Sequence, residues 1–202
     1  LDLSSTTDIT AFVLVFPPIE GDDNYYILPY FWIPEENMQR RVDKDHVPYN
    51  LWVKQGFIET TEGNVIHYGF IERFIEELGK KYNIKEIAFD RWGAVQMTQD
   101  LDGMGFTVIP FGQGFKDMSP PTKELMNLVL EKRIKHYEHP VLHWMMDNVC
   151  VRTDPAGNIK MDKSKSTEKI DGAVATVMAL DRAIRNEGSS ESVYDSRGLL
   201  FI

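Results

Sequence analysis

Eight consecutive positions, Ile9 to Phe16, are apolar, branched or aromatic, and no turn residue interrupts them. A run of that length and chemistry reads as a buried strand. Pro17-Pro18 and the acidic stretch Glu20 to Asp23 supply a turn. Tyr25 to Ile33 then reads as a second, aromatic strand closed by Pro34, so the two runs predict an antiparallel pair. Leu1-Asp2-Leu3 reads as the tail of an earlier strand, followed by the polar turn Ser4 to Thr7. A chain that opens in mid-strand leads us to expect that a preceding portion is missing.

Pro34 suits a first helical turn and predicts a polar helix to about Asp45. Phe70, Ile71, Phe74, Ile75, Leu78 and Tyr82 follow helical spacing. That helix leads to a short strand, Ile84 to Asp90. Residues 93–102 read as a further helix and Phe106 to Phe111 as a further strand. Helix then strand, twice over, marks parallel crossover units. Ser119-Pro120-Pro121 predicts the start of a helix running through Lys135. Asn148 to Thr153 and Asn158 to Met161, joined by Asp154-Pro155-Ala156-Gly157, read as a hairpin. A last helix is expected from about Glu168 to Asn186, apolar over most of its surface, and a loosely held tail over 188–202. The fold class is α/β, with an antiparallel start and a parallel finish in a single domain over 1–202.

One cysteine, Cys150, excludes a disulfide framework and suits a reducing compartment. No apolar run is long enough to span a bilayer, and the reading is a soluble intracellular protein. The net charge of −9 argues against broad nucleic-acid binding, but the charge is uneven. Residues 1–100 carry 9 Lys and Arg against 17 Asp and Glu, whereas 101–202 carry 13 against 14. Lys160, Lys163, Lys165 and Lys169 cluster in the second half. Binding to a polyanion would therefore be local.

The sequence holds neither a phosphate-binding G-x-x-x-x-G-K-[ST] nor a nucleophile elbow G-x-S-x-G. Gly112-Gln113-Gly114 lacks the lysine of the first. His136, His139 and His143 are spaced like metal ligands, but Pro140 interrupts their face and no cysteine pair accompanies them, so we expect no zinc site. The carboxylates are more informative. Asp90 ends a strand after Ile87-Ala88-Phe89, at the strand end where open α/β sheets bind ligands. Asp2 lies between Leu1 and Leu3, and Asp171 lies early in the final helix on one face with Val174, Ala175 and Met178. Capping or a helix dipole explains each acid singly. Together they suggest carboxylates converging on divalent metal, since a lone buried carboxylate costs several kcal/mol. Hard oxygen ligands suit Mg²⁺ or Mn²⁺, and two such ions support phosphodiester hydrolysis. The lysines at 160–169 would then hold the polyanion backbone, although a solvated charged loop explains the same composition.

These segments, in this order, resemble the nuclease domain in the large terminase subunit of tailed phages. Leu1 to Thr10 is similar to its opening acidic motif, Ile87 to Asp90 to its second acidic strand, and Lys169 to Leu180 to its final acidic helix. Met118 to Lys123, His139 to Leu142 and Asp154 to Lys160 also match, so the resemblance spans essentially the whole chain. It implies an RNase H-like, resolvase-type mixed sheet flanked by helices, and metal-dependent cutting of double-stranded DNA. By resemblance, Asp2 would be the shared ligand of two Mg²⁺ or Mn²⁺ ions, with Asp90 and Asp171 each completing one side. Asp8 belongs to the motif as turn or as support behind the ligands. His143 stands where many relatives would have an arginine. Implied partners are concatemeric phage DNA, a portal protein, the small terminase subunit and an N-terminal ATPase domain absent from this chain, all in the cytoplasm of the infected host. Two other readings stay open: a resolvase or RNase H-like enzyme with another nucleic-acid substrate, and a non-catalytic docking module for the portal or packaging motor.

Overall fold

The computed structural model describes residues 1–4, 8–36, 38–90 and 95–187. β1 (Thr10–Phe16) runs antiparallel to β2 (Tyr25–Pro34), from Thr10 opposite Trp32 to Phe16 opposite Tyr26. Two short helices follow, α1 (Met38–Asp45) and α2 (Tyr49–Lys54). β3 (Glu59–Thr61) then lies parallel to the end of β2. α3 (Tyr68–Lys81) leads to β4 (Ile87–Asp90), and α4 (Val95–Gly103) to β5 (Val108–Phe111); β4 and β5 pair in parallel, as the crossover pattern predicts. α5 (Phe115–Leu130) leads to β6 (Ile134–Lys135), parallel to the start of β2. α6 (Pro140–Asp147), the antiparallel hairpin of β7 (Val151–Thr153) and β8 (Ile159–Met161), and α7 (Asp171–Asn186) complete the described chain.

Residues 1–3 join the two halves of the sheet. Asp2 and Ala11 exchange two backbone hydrogen bonds of 2.9 Å on the free side of β1, as expected for the tail of a strand. On its other side the Leu1 nitrogen donates to the Ala88 carbonyl of β4 at 2.7 Å. The arrangement is a mixed sheet covered on both faces. Ala11 and Val13 turn toward one cluster with Phe31, Leu142, Met145 and Ala175; Phe12 and Leu14 turn to the other with Ile71, Ile75, Met97 and Leu101. Alternate side chains of β1 thus meet opposite layers, which is why the strand reads as an unbroken apolar run. Pro29, which has no N–H to give, falls between the β6 and β3 pairings, where β2 has no partner on that edge among the described residues.

Four expectations need correction. Pro34 does not open a helix: it is the last residue of β2, opposite Thr61. α5 starts at Phe115, so Pro120 and Pro121 lie inside it rather than at its start. The donors they lack would have reached Lys116 and Asp117, which are exposed and half-exposed, so water can serve those carbonyls. α5 also stops at Leu130, because Lys132 takes a left-handed backbone (φ 59°) and Ile134 and Lys135 are drawn into the sheet. The last helix begins at Asp171, not near Glu168. The expected tail over 188–202 lies outside the described residues.

α7 is the helix on which the sheet rests. Ala173, Val174, Ala175, Val177 and Met178 are all buried, so it meets protein around most of its first turns. Gly172 sits where a Cβ would lie 2.7 Å from Phe31 Cε1 and 2.8 Å from Met145 Sδ. Gly172→Ala should therefore lower stability by about 1–3 kcal/mol through overpacking, despite the better helix propensity of alanine. Urea unfolding checks this, and a variant as stable as the parent would contradict the packing described.

Candidate active site

Three different segments carry charged side chains to one cleft beside the sheet. Asp2 is fixed by its backbone bonds to β1, and Asp171 by its position as the first residue of α7. Each is only 3% exposed. Between them lies the ammonium of Lys163, with Nζ 2.7 Å from Asp2 Oδ2 and 2.8 Å from Asp171 Oδ1. The outer oxygens have weaker partners. Gln113 Nε2 lies 3.5 Å from Asp2 Oδ1, and the Ile9 backbone N–H lies 3.4 Å from Asp171 Oδ2.

The electrostatics follow from burial. Loss of water pushes the Asp2 carboxyl up to about 6; Lys163 works against that rise and the charge of Asp171 adds to it. Burial also disfavours the Lys163 ammonium, but the two carboxylates outweigh it and raise its pKa above the usual lysine value. Two carboxylates and one ammonium leave one negative charge on the ionised cluster. The donor set, hard oxygens already gathered round a cation, fits one divalent ion of the Mg²⁺ or Mn²⁺ kind.

The loop between β8 and α7 presents the lysine. Asp162 Oδ1 accepts from the Ser164 backbone N–H at 3.0 Å and from its hydroxyl at 2.6 Å. Ser166 Oγ donates to the Asp162 carbonyl and accepts from the Cys150 N–H, tying the loop to the hairpin. Asp8 pairs with Lys169 at 2.5 Å across a cleft of about 280 Å³ lined also by Lys163, Thr167, Glu168 and Asp171. A larger groove of about 380 Å³ between β1 and residues 82–88 contains none of the candidate acids.

The structure brings Asp2 and Asp171 together but does not gather all three expected acids. Asp90 closes β4, half-buried and opposite Phe111, on the strand that Leu1 touches. Among the described residues no three His, Cys, Asp or Glu side chains are grouped so as to hold a metal ion. Asp2 and Asp171 each turn one oxygen onto Lys163. The four lysines also separate. Lys163 and Lys169 are paired with acids, and Lys160 Nζ bonds to the Gln113 carbonyl (3.2 Å) over the Phe115 ring, while Lys165 is exposed. His139 caps α6, its Nδ1 accepting from the Leu142 N–H at 3.4 Å. Ser119, within the Met118–Lys123 motif, receives the Ile159 N–H and docks the hairpin on α5. Sequence reasoning missed Gln113 as a neighbour of Asp2 and Lys163 as the bridge between the acids. No spacing signals the contacts to Asp2, which span more than a hundred residues, and Lys163 stands eight residues before Asp171 in a loop with no period to mark it.

A mixed sheet of antiparallel and parallel strands between helical layers is the RNase H-like arrangement. The chain belongs to the family described as the terminase large subunit, endonuclease domain, which matches residues 1–187. It is 40% identical over 186 residues to the large terminase subunit of Enterobacteria phage HK97, covering 91% of this chain and 36% of that protein. It is 29% identical over 197 residues to protein YmfN of Escherichia coli K12, covering 92% and 43%. The chain thus spans about two-fifths of the length of these relatives. The crystal structure of the HK97 large terminase superposes with a TM-score of 0.83 at 39% identity, over 90% of this chain and 38% of that one. The large terminase nuclease of thermophilic phage G20c shares the fold at a TM-score of 0.57 and 12% identity, over 90% and 78%.

The raised Asp2 carboxyl has a consequence for stability without metal. Between the ordinary carboxylate value near 4 and about 6, the folded state holds a proton that the unfolded state has lost. Stability from this group therefore falls as pH rises through that window, by up to about 2–3 kcal/mol. Urea unfolding in EDTA at pH 4.5 and 6.5 should show the parent losing stability relative to Asp2→Asn. Parallel pH profiles would contradict the assignment.

Proposed function

We propose that this domain is a divalent-metal-dependent endonuclease that cuts concatemeric double-stranded phage DNA during genome packaging. The observation that carries the reading is the buried pair Asp2 and Asp171 facing one cation. Two ionised carboxylates out of water need a lasting reason, since their desolvation is unfavourable. Membership of the terminase endonuclease-domain family supports the same chemistry.

In this reading Asp2 and Asp171 hold a Mg²⁺ or Mn²⁺ ion, and Asp90 completes the two-ion form. When bound, such ions supply Lewis acidity for phosphodiester hydrolysis. The remaining work belongs to the chain's own side chains. α7 holds Asp171 in place through its buried first turns. The Asp8–Lys169 pair shapes the cleft wall, Lys163 and Lys169 line the cleft, and these two with Lys160 and Lys165 beyond it are the proposed contacts for DNA phosphates. Portal protein, small terminase subunit and an ATPase portion of a longer chain are the proposed partners, and the host cytoplasm the proposed location. No helix among the described residues is long and apolar enough to cross a membrane.

Plasmid cleavage tests the reading. With Mg²⁺ or Mn²⁺ the domain should nick and linearise supercoiled DNA, and EDTA should stop it. Asp171→Asn and Asp90→Ala should each lower the rate by about a hundredfold or more while the circular dichroism stays native, each removing a charge on which metal-assisted hydrolysis relies. Near-full cleavage by Asp171→Asn would remove the acid pair from the chemistry; near-full cleavage by Asp90→Ala would remove the second ion.

A further inference from the structure

Lys163 reaches the acids from a loop whose main chain is anchored on both sides. Asp162 N–H donates to the Cys150 carbonyl at 2.8 Å, and the Lys165 and Ser166 N–H groups return to the Asp162 carbonyl. The backbone is thus held while the lysine stem spans to Asp2 and Asp171, with 41% of the side chain still exposed to solvent. Its ammonium sits on one oxygen of each acid, so it takes a contact that any cation shared by the pair would need. An ammonium and a divalent ion cannot occupy that contact together, because like charges at such distances repel. Lysine, with four flexible methylenes and a compact charge, can swing away without moving the loop.

We propose that Lys163 is a tethered counter-cation that holds Asp2 and Asp171 together before metal arrives, gives way to the divalent ion, and then binds a DNA phosphate at the mouth of the cleft. This rests on the reading that Asp2 and Asp171 hold metal. It makes metal and DNA binding mutually reinforcing, because each favours the state in which the ammonium has left the acids, and such linkage is reciprocal. Lys163 is in this respect a positioning residue. It acts on the metal through the carboxylates and on the DNA through its own charge.

Calorimetric titration of the domain with Mn²⁺ tests this directly. Lys163→Gln should bind Mn²⁺ about five- to tenfold more tightly than the parent, a coupling of ordinary size. Lys163→Arg, which keeps a cation, should stay near the parent. In DNA-binding isotherms on a short duplex, confirmed intact by gel, Mn²⁺ should raise the parent's affinity and steepen its salt dependence by about one phosphate contact. Lys163→Gln should lose that increment. Unchanged or weaker Mn²⁺ binding by Lys163→Gln overturns the proposal, as does a Mn²⁺-induced salt increment that survives the substitution. Asp171→Asn separates the two ideas. If it abolishes Mn²⁺ binding while Lys163→Gln has no effect, only the counter-cation role fails; if it leaves Mn²⁺ binding intact, the metal reading of the acid pair fails with it.

Discussion

A carboxylate carried out of water has to be protonated or paired, and Asp2 and Asp171 meet that requirement through a single shared ammonium. The pairing makes demands on elements far apart in the chain. Residues 1–3 have to be clasped between β1 and β4, which they are through Ala11 on one side and Ala88 on the other. The first turn of α7 has to approach the sheet closely, which Gly172 allows by leaving room for Phe31 and Met145. The loop after β8 has to present a lysine at one height, which the Asp162 and Ser166 bonds secure. Each is a local solution, and together they place one cation between two acids.

The same constraint connects structure to chemistry. On the proposed reading, hydrolysis of a phosphodiester needs positive charge near the reacting phosphate, and the chain as a whole carries −9. Lys163, Lys165 and Lys169 lie in the loop between β8 and α7, the helix that carries Asp171, while Lys160 belongs to β8 itself. On that same reading, an acidic body with lysines beside the cleft would limit non-specific adsorption of nucleic acid and leave the cleft as the favourable place for it. The chain matches about two-fifths of the length of the HK97 subunit and of YmfN.

Much of the fold was legible because it rests on long periodic segments. β1, β2, α3, β4, β5, the β7–β8 hairpin and α7 all follow from apolar spacing, and the joining of antiparallel and parallel halves follows from the order of those segments. What could not be read is short or held by tertiary contact. β3 and β6 are two or three residues long and exist because the edge of β2 accepts them. α2 is a six-residue helix set in place by Tyr49 and Trp52 against Trp144. Pro34 and Pro120 misled because proline suits a first helical turn, a strand end or a tolerant helix face, and only the surroundings decide. In the site, the acids stood out as carboxylates in apolar settings, and two of the three do meet. The bridging role of Lys163 was hidden, since the reach of a loop lysine has no period to detect, and its place in a basic stretch reads equally as a phosphate contact.

On the proposed reading, the Asp2 and Asp171 oxygens that Lys163 now holds are a site for divalent metal. Diffraction from crystals soaked in Mn²⁺, recorded where manganese scatters anomalously, tests it most directly. The expected result is an anomalous peak in contact with both Asp2 and Asp171, with the Lys163 ammonium moved off the pair. A peak elsewhere, or Lys163 still bridging both acids at saturating Mn²⁺, would contradict it.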